Sequence, residues 1–121
     1  MLTILWAIFI YILCMSNPSA LPKHRFFNIP NFDKWVHAFL FAIMALLFLL
    51  GFKRQTPRLY FKTKHYILVV LCSAVYGVFI ELVQHFFTSN RHADICDVIA
   101  DLTGALLGCT LAYIWLIKGN K

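Results

Sequence analysis

Residues 81–108 read ELVQHFFTSNRHADICDVIADLTGALLG. A hydrophobic segment carrying Glu81 runs into a short polar turn, and a second hydrophobic segment leaves it carrying Asp94, Asp97 and Asp101. These are four of the five acidic residues in the 121-residue chain, and Asp33 is the fifth. The pattern predicts two helices joined as a hairpin. Carboxylates at the ends and inside of membrane spans are costly, so each needs a partner or a function.

The rest of the chain sets the solvent. Hydrophobic residues make up 61% and charged residues 13%, with mean hydropathy +0.75, where soluble domains carry about 25% charged residues. A chain of this length cannot bury so much apolar surface within itself, so lipid must solvate much of it. The expected fold class is an all-α membrane protein, a four-helix transmembrane bundle forming one domain, with spans over residues 2–16, 34–52, 66–87 and 94–117 and short loops between them. The first run is short for a span. A cleaved signal peptide is its rival, because Pro18-Ser19-Ala20 loosely resembles a cleavage site. No Lys or Arg precedes its apolar core, however, and the expectation is a retained first span. Pro18, Pro22 and Pro30 mark residues 17–33 as a loop. Asp33 is placed to cap the second helix and Asp94 the fourth.

The net charge of +6 is spread over the loops, with no basic helix face or nucleic-acid motif, so no nucleic-acid partner is expected. Positive residues beside spans set topology instead. Lys53, Arg54, Arg58, Lys62, Lys64, Lys118 and Lys121 fall on one side, against Lys23, Arg25, Lys34 and Arg91 on the other. That bias predicts both termini in the cytoplasm and every carboxylate at the outer face. Cys14, Cys72, Cys96 and Cys109 form no CxxC pair and read as small hydrophobes, not as a disulfide framework.

Helical spacing groups the polar residues. Asp94, Asp97 and Asp101 at i, i+3 and i+7 line one face of the fourth span, continued by Gly104 and Gly108. Glu81, Gln84 and His85 share a face of the third span, and Asp33 and His37 one of the second. At about 1.5 Å per residue, Glu81 and Asp101 both lie about 10 Å inside their helix ends, at similar depth. Two bare carboxylates there repel, which calls for a proton, a metal ion, or Lys34 or Arg91 between them. Asp33 and Asp94 also have a simpler reading as caps, Arg91 and Lys34 as their ion-pair partners, and His24, His65 and His92 as solvated loop residues. Glu81, Asp97 and Asp101 lie too far inside to be caps.

The pattern DKWVH-A-F at 33–39, IELVQ-x-F at 80–86, R-x-x-D-x-x-D-V-x-A at 91–100 and G-x-x-x-G at 104–108 resembles the VanZ-like family. This is a family of small bacterial membrane proteins whose namesake is linked to resistance to the glycopeptide teicoplanin. The resemblance covers residues 33–108, and Leu13, Ser16 and Pro18 extend it to the first helix. It assigns family positions to Asp33, Lys34, His37, Glu81, Gln84, Arg91, Asp94 and Asp97. Where the family usually has asparagine, this chain has Asp101, which adds a negative charge to the innermost layer.

Two functions follow as expectations. One is a multi-pass protein of the bacterial cytoplasmic membrane whose outward polar pocket binds or modulates a lipid-linked cell-wall precursor. Asp33, Lys34, His37, Glu81, Gln84, Arg91, Asp94, Asp97 and Asp101 would line that pocket. Lys34, Arg91 and Lys23 would hold phosphate, and glycopeptide susceptibility would change with it. The other is a membrane-embedded hydrolase or transferase acting on a lipid phosphate or glycan, with His37 or His85, Glu81 and Asp97 as catalytic candidates. Glu81, Asp94, Asp97 and Asp101 are the candidate ligands for a divalent metal, of the Mg or Mn type.

Overall fold

A computed structural model describes residues 2–16, 30–56, 61–87 and 94–118, with side chains described to residue 115. Its four helices are α1 (Leu2–Met15), α2 (Phe32–Gln55), α3 (Thr63–Phe87) and α4 (Ile95–Lys118), with no strand among the described residues. The expected all-helical architecture is present. Each helix is an apolar run free of proline, and Pro57 follows directly after the end of α2 at Thr56. Thr56 closes that end by donating its backbone N–H (2.9 Å) and its hydroxyl (2.7 Å) to the carbonyl of Phe52.

Three helices are long and apolar enough to cross a membrane: α2, α3 and residues 95–115 of α4. Helix α1 has 14 residues and rises about 21 Å, short of the about 30 Å hydrocarbon core. The other helix limits also shift from expectation, with α2 starting at Phe32 and α3 at Thr63. The start of α2 has a specific cause. Asn31 takes a left-handed conformation (φ 60°) at the N-cap position and makes no side-chain cap bond, a backbone that asparagine tolerates. Asp33 therefore lies in the first turn and not at the cap, where its charge faces the positive end of the helix dipole. Asp94 does cap α4, its Oδ1 accepting the Cys96 backbone N–H at 2.9 Å.

Helices α2 and α4 form the central pair. A Cβ added at Gly104 would collide with the carbonyl of Ala38, and one at Gly108 with that of Ala42. The two backbones thus touch along a seam of small residues, which in lipid replaces hydrophobic burial as the source of helix association. Helix α3 packs on α4, and α1 lies against α2 and α3. Three side-chain donors fasten α1. Trp6 Nε1 donates to the Leu40 carbonyl at 3.0 Å, Tyr76 Oη to the Ala7 carbonyl at 2.6 Å, and Gln84 Nε2 to the Cys14 carbonyl at 2.8 Å.

The apolar interior has two parts. Ile10, Cys14, Leu40, Phe41, Met44 and Ile80 pack between α1, α2 and α3. Ala45, Leu49, Val69, Ala105, Cys109 and Ala112 pack at the opposite end of α2, α3 and α4. Large apolar side chains such as Val75, Leu82, Ile95 and Leu106 point outward, as lipid solvation requires. None of the four cysteines forms a disulfide. Cys14 and Cys109 are buried, whereas Cys72 and Cys96 are exposed.

Candidate functional site

The polar side chains gather where α2 begins, α3 ends and α4 begins. This is the end of the bundle at which α4's cap and the first turn of α2 face each other. Helix α2 supplies Asp33, Lys34 and His37; α3 supplies Glu81 and Gln84; α4 supplies Asp97 and Asp101, with Asp94 at its cap. His37, Glu81, Gln84, Asp97 and Asp101 are all buried, Asp101 completely. Asp33 is exposed, and Lys34 and Asp94 are half-buried.

Lys34 ties α2 to α4. Its ammonium lies 2.6 Å from Asp94 Oδ2 and 2.9 Å from Asp97 Oδ1. The ammonium first of all, and then the Cys96 N–H, hold the Asp94 carboxyl below the usual carboxylate range. Asp94 in turn donates its backbone N–H to Glu81 Oε2 at 3.0 Å. In a capping box the glutamate that accepts this bond comes from the same helix. Here it comes from α3, so the start of α4 is fixed to two neighbours at once.

One turn deeper, His37 Nδ1 lies 3.0 Å from Asp101 Oδ1, with both side chains buried. A carboxylate oxygen accepts, so Nδ1 carries the hydrogen, and in the neutral ring Nε2 is then the nitrogen that can accept or ligate. Two further carboxylate oxygens, Glu81 Oε1 and Asp101 Oδ2, are buried without a hydrogen-bond partner among the described residues. Glu81 lies within electrostatic range of Asp97, His37 and Asp101. One ligand atom each from Asp33, His37 and Asp97 lie within 4.8 Å of one another.

The expected residues divide by role. Asp33, Lys34, His37, Glu81, Asp94, Asp97 and Asp101 come together at this end. Gln84 shares their face, but its amide nitrogen is spent on the Cys14 carbonyl of α1. His85 is exposed and stacks edge-on with Phe86, on the outside of α3. A helix turns about 100° per residue, so the step from Gln84 to His85 carries the ring off the buried face. Arg91, Lys23, His24 and His92 lie outside the described residues. Of the four candidate metal ligands, Asp94 is turned to Lys34 and its own helix end, and Asp97 offers a ligand atom within 4.8 Å of one from Asp33 and one from His37. Sequence reasoning passed over Gly77. A Cβ there would lie 2.5 Å from Asp101 Oδ2, so the glycine makes room for the aspartate. The available signal was its spacing, one turn before Glu81 on the same face.

A family model described as VanZ/LLP1 matches residues 1–116. An uncharacterized protein of the fission yeast Schizosaccharomyces pombe is 33% identical over 119 residues, or 95% of this chain. The chain spans 64% of that relative's length. No solved structure matches.

Proposed function

The chain belongs to the VanZ/LLP1 family, and from that premise we propose that it is an integral membrane protein that binds a phosphorylated or glycosylated lipid headgroup at one face of the bilayer. The observation that carries this reading is the convergence of Asp33, Lys34, His37, Glu81, Asp94, Asp97 and Asp101 at one end of a bundle whose flanks are apolar. Carboxylates accept hydrogen bonds from sugar hydroxyls, and Lys34, with Arg91 in the adjoining connection, supplies charge for phosphate. The distribution of Lys and Arg favours the outer side for this end and the cytoplasm for the termini, and the resemblance to the VanZ-like family favours a bacterial cytoplasmic membrane. Likeness to the teicoplanin-resistance namesake favours a lipid-linked cell-wall precursor as the ligand. The fission yeast relative favours a headgroup feature common to many lipids, a phosphate or a hydroxyl, as the group recognised.

The test is lipid capture by the purified protein in nanodiscs. A polyprenyl phosphate and a lipid-linked precursor are each offered in competition with phosphatidylcholine. Preferential capture is expected, with Glu81→Gln and Asp97→Asn each weakening it at least ten-fold, about 1.4 kcal/mol, at unchanged membrane abundance. Equal capture of the neutral competitor, or variants that bind like wild type, would overturn the reading. A change in teicoplanin susceptibility on expression is the cellular counterpart.

A second reading, a hydrolase or transferase acting on a lipid phosphate or glycan, is favoured by one observation. An imidazole held by a buried carboxylate, as His37 is by Asp101, is the arrangement general acid–base chemistry uses. Turnover of the captured lipid, lost in His37→Gln, would establish it.

A further inference from the structure

All five acidic residues of the chain stand at one end of the bundle. Lys34 and His37 are paired with carboxylates there. In a site of low polarity such an excess of carboxylates is costly, and a bound cation relieves it. Three features make the arrangement more than an acidic cluster. The donor set is mixed, because one of its members is an imidazole. That imidazole belongs to a side chain only 3% exposed. The same end of the bundle holds Glu81 Oε1, on a residue only 4% exposed, without a hydrogen-bond partner among the described residues.

We propose that Asp33, His37 and Asp97 bind a divalent first-row transition ion, with Asp101 as the residue that orients the histidine. Ligand atoms from the three residues already lie within 4.8 Å of one another. Around a bound ion, with metal–ligand distances of about 2.0–2.2 Å, such atoms stand about 3 Å apart. Closing that difference takes side-chain movement within the trio, of which Asp33 is the exposed member. Lys34 engages Asp97 through Oδ1, which leaves Oδ2 for the ion. Asp101 accepts the Nδ1 hydrogen and so presents Nε2, the relation in which a carboxylate behind a ligating histidine fixes its ring and raises its basicity. Gly77 keeps the space that Asp101 needs for this. One nitrogen and two carboxylate ligands suit Mn²⁺, Fe²⁺ or Zn²⁺ better than Ca²⁺, which takes oxygen ligands. The site stands whether or not a lipid headgroup docks beside it.

The experiment uses Mn²⁺ alone, with full-length protein in nanodiscs of phosphatidylcholine and no other lipid. Binding is read from the loss of the free-ion paramagnetic signal, and ligand identity from ¹⁴N coupling in pulsed spectra of the bound ion. One Mn²⁺ per chain with a coupled imidazole nitrogen is expected. His37→Gln should remove the nitrogen coupling, Asp97→Asn should weaken binding at least ten-fold, and Asp101→Asn should weaken it about ten-fold while keeping the coupling. No uptake of Mn²⁺ by wild type, or bound Mn²⁺ without nitrogen coupling, overturns the proposal without recourse to any variant. So does His37→Gln that binds and couples like wild type. Lipid capture plays no part in these readouts, so failure here is separate from failure of the headgroup reading.

Discussion

Asp94 is the acidic residue of the site that stands outside the membrane-spanning segments, and its chemistry is the simplest to follow. Its side chain accepts from the Lys34 ammonium and the Cys96 N–H, and both bonds favour the charged form. Its folded-state pKa is therefore lowered. A carboxyl of that kind lends stability that is fully present above its unfolded value, about 3.9, and is lost as pH falls through the folded one. Between about pH 5 and about pH 3, the melting temperature of wild type in detergent should fall further than that of Asp94→Asn. Parallel curves would show that the Lys34 bridge contributes nothing to folding. Spacing alone made Asp94, Asp97 and Asp101 legible as one face of one helix. Spacing could not show that Asp94 answers Lys34, that Asp101 answers His37, or that Glu81 accepts from the start of α4. Those pairings join residues 60, 64 and 13 positions apart, and only helix packing brings them together.

At the scale of elements, the pairing of α2 with α4 rests on absent side chains. Gly104 and Gly108 face the Ala38 and Ala42 carbonyls with no room for a methyl group, whereas a Cβ at Gly51 would meet only Thr3 Oγ1 at 3.8 Å. One substitution should thus act with opposite signs. Gly51→Ala gains helix propensity of up to about 1 kcal/mol and should hold or raise the melting temperature. Gly104→Ala or Gly108→Ala forces the helices apart and should cost about 1–3 kcal/mol or more. Heating each variant in detergent and following aggregation by size exclusion decides the matter. A Gly104→Ala protein as stable as wild type would mean that the close approach is not what joins the helices. The GxxxG stripe was readable from sequence, but its partner was not, because Ala38 and Ala42 are unremarkable in an apolar run. The start of α2 was misjudged for a similar reason. Asp33 and Asn31 are equally good capping residues by type, and the left-handed turn at Asn31 begins the helix earlier.

At the scale of the molecule, composition alone decided the class, since no soluble packing could hide this much apolar surface. It could not decide how many helices cross, because α1 is apolar enough but only 14 residues long. The proposed orientation places Phe87 near the outer face and Thr56 near the cytoplasm. Phe87→Cys in a cysteine-free background should react with an impermeant maleimide on intact cells, and Thr56→Cys only after permeabilisation. The reverse pattern would turn the polar site towards the cytoplasm and remove wall precursors of the outer leaflet from consideration.

The fastening of α1 has a consequence for how this helix can vary over evolutionary time. Trp6, Tyr76 and Gln84 each donate to a main-chain carbonyl, at Leu40, Ala7 and Cys14. Every residue type offers that acceptor. Substitution at the accepting position cannot remove the bond, and no compensating change on the donor's side is called for. These three hydrogen bonds should therefore leave almost no trace as correlated substitution between helices. The Lys34 contacts with Asp94 and Asp97, made between two side chains, should leave a strong one.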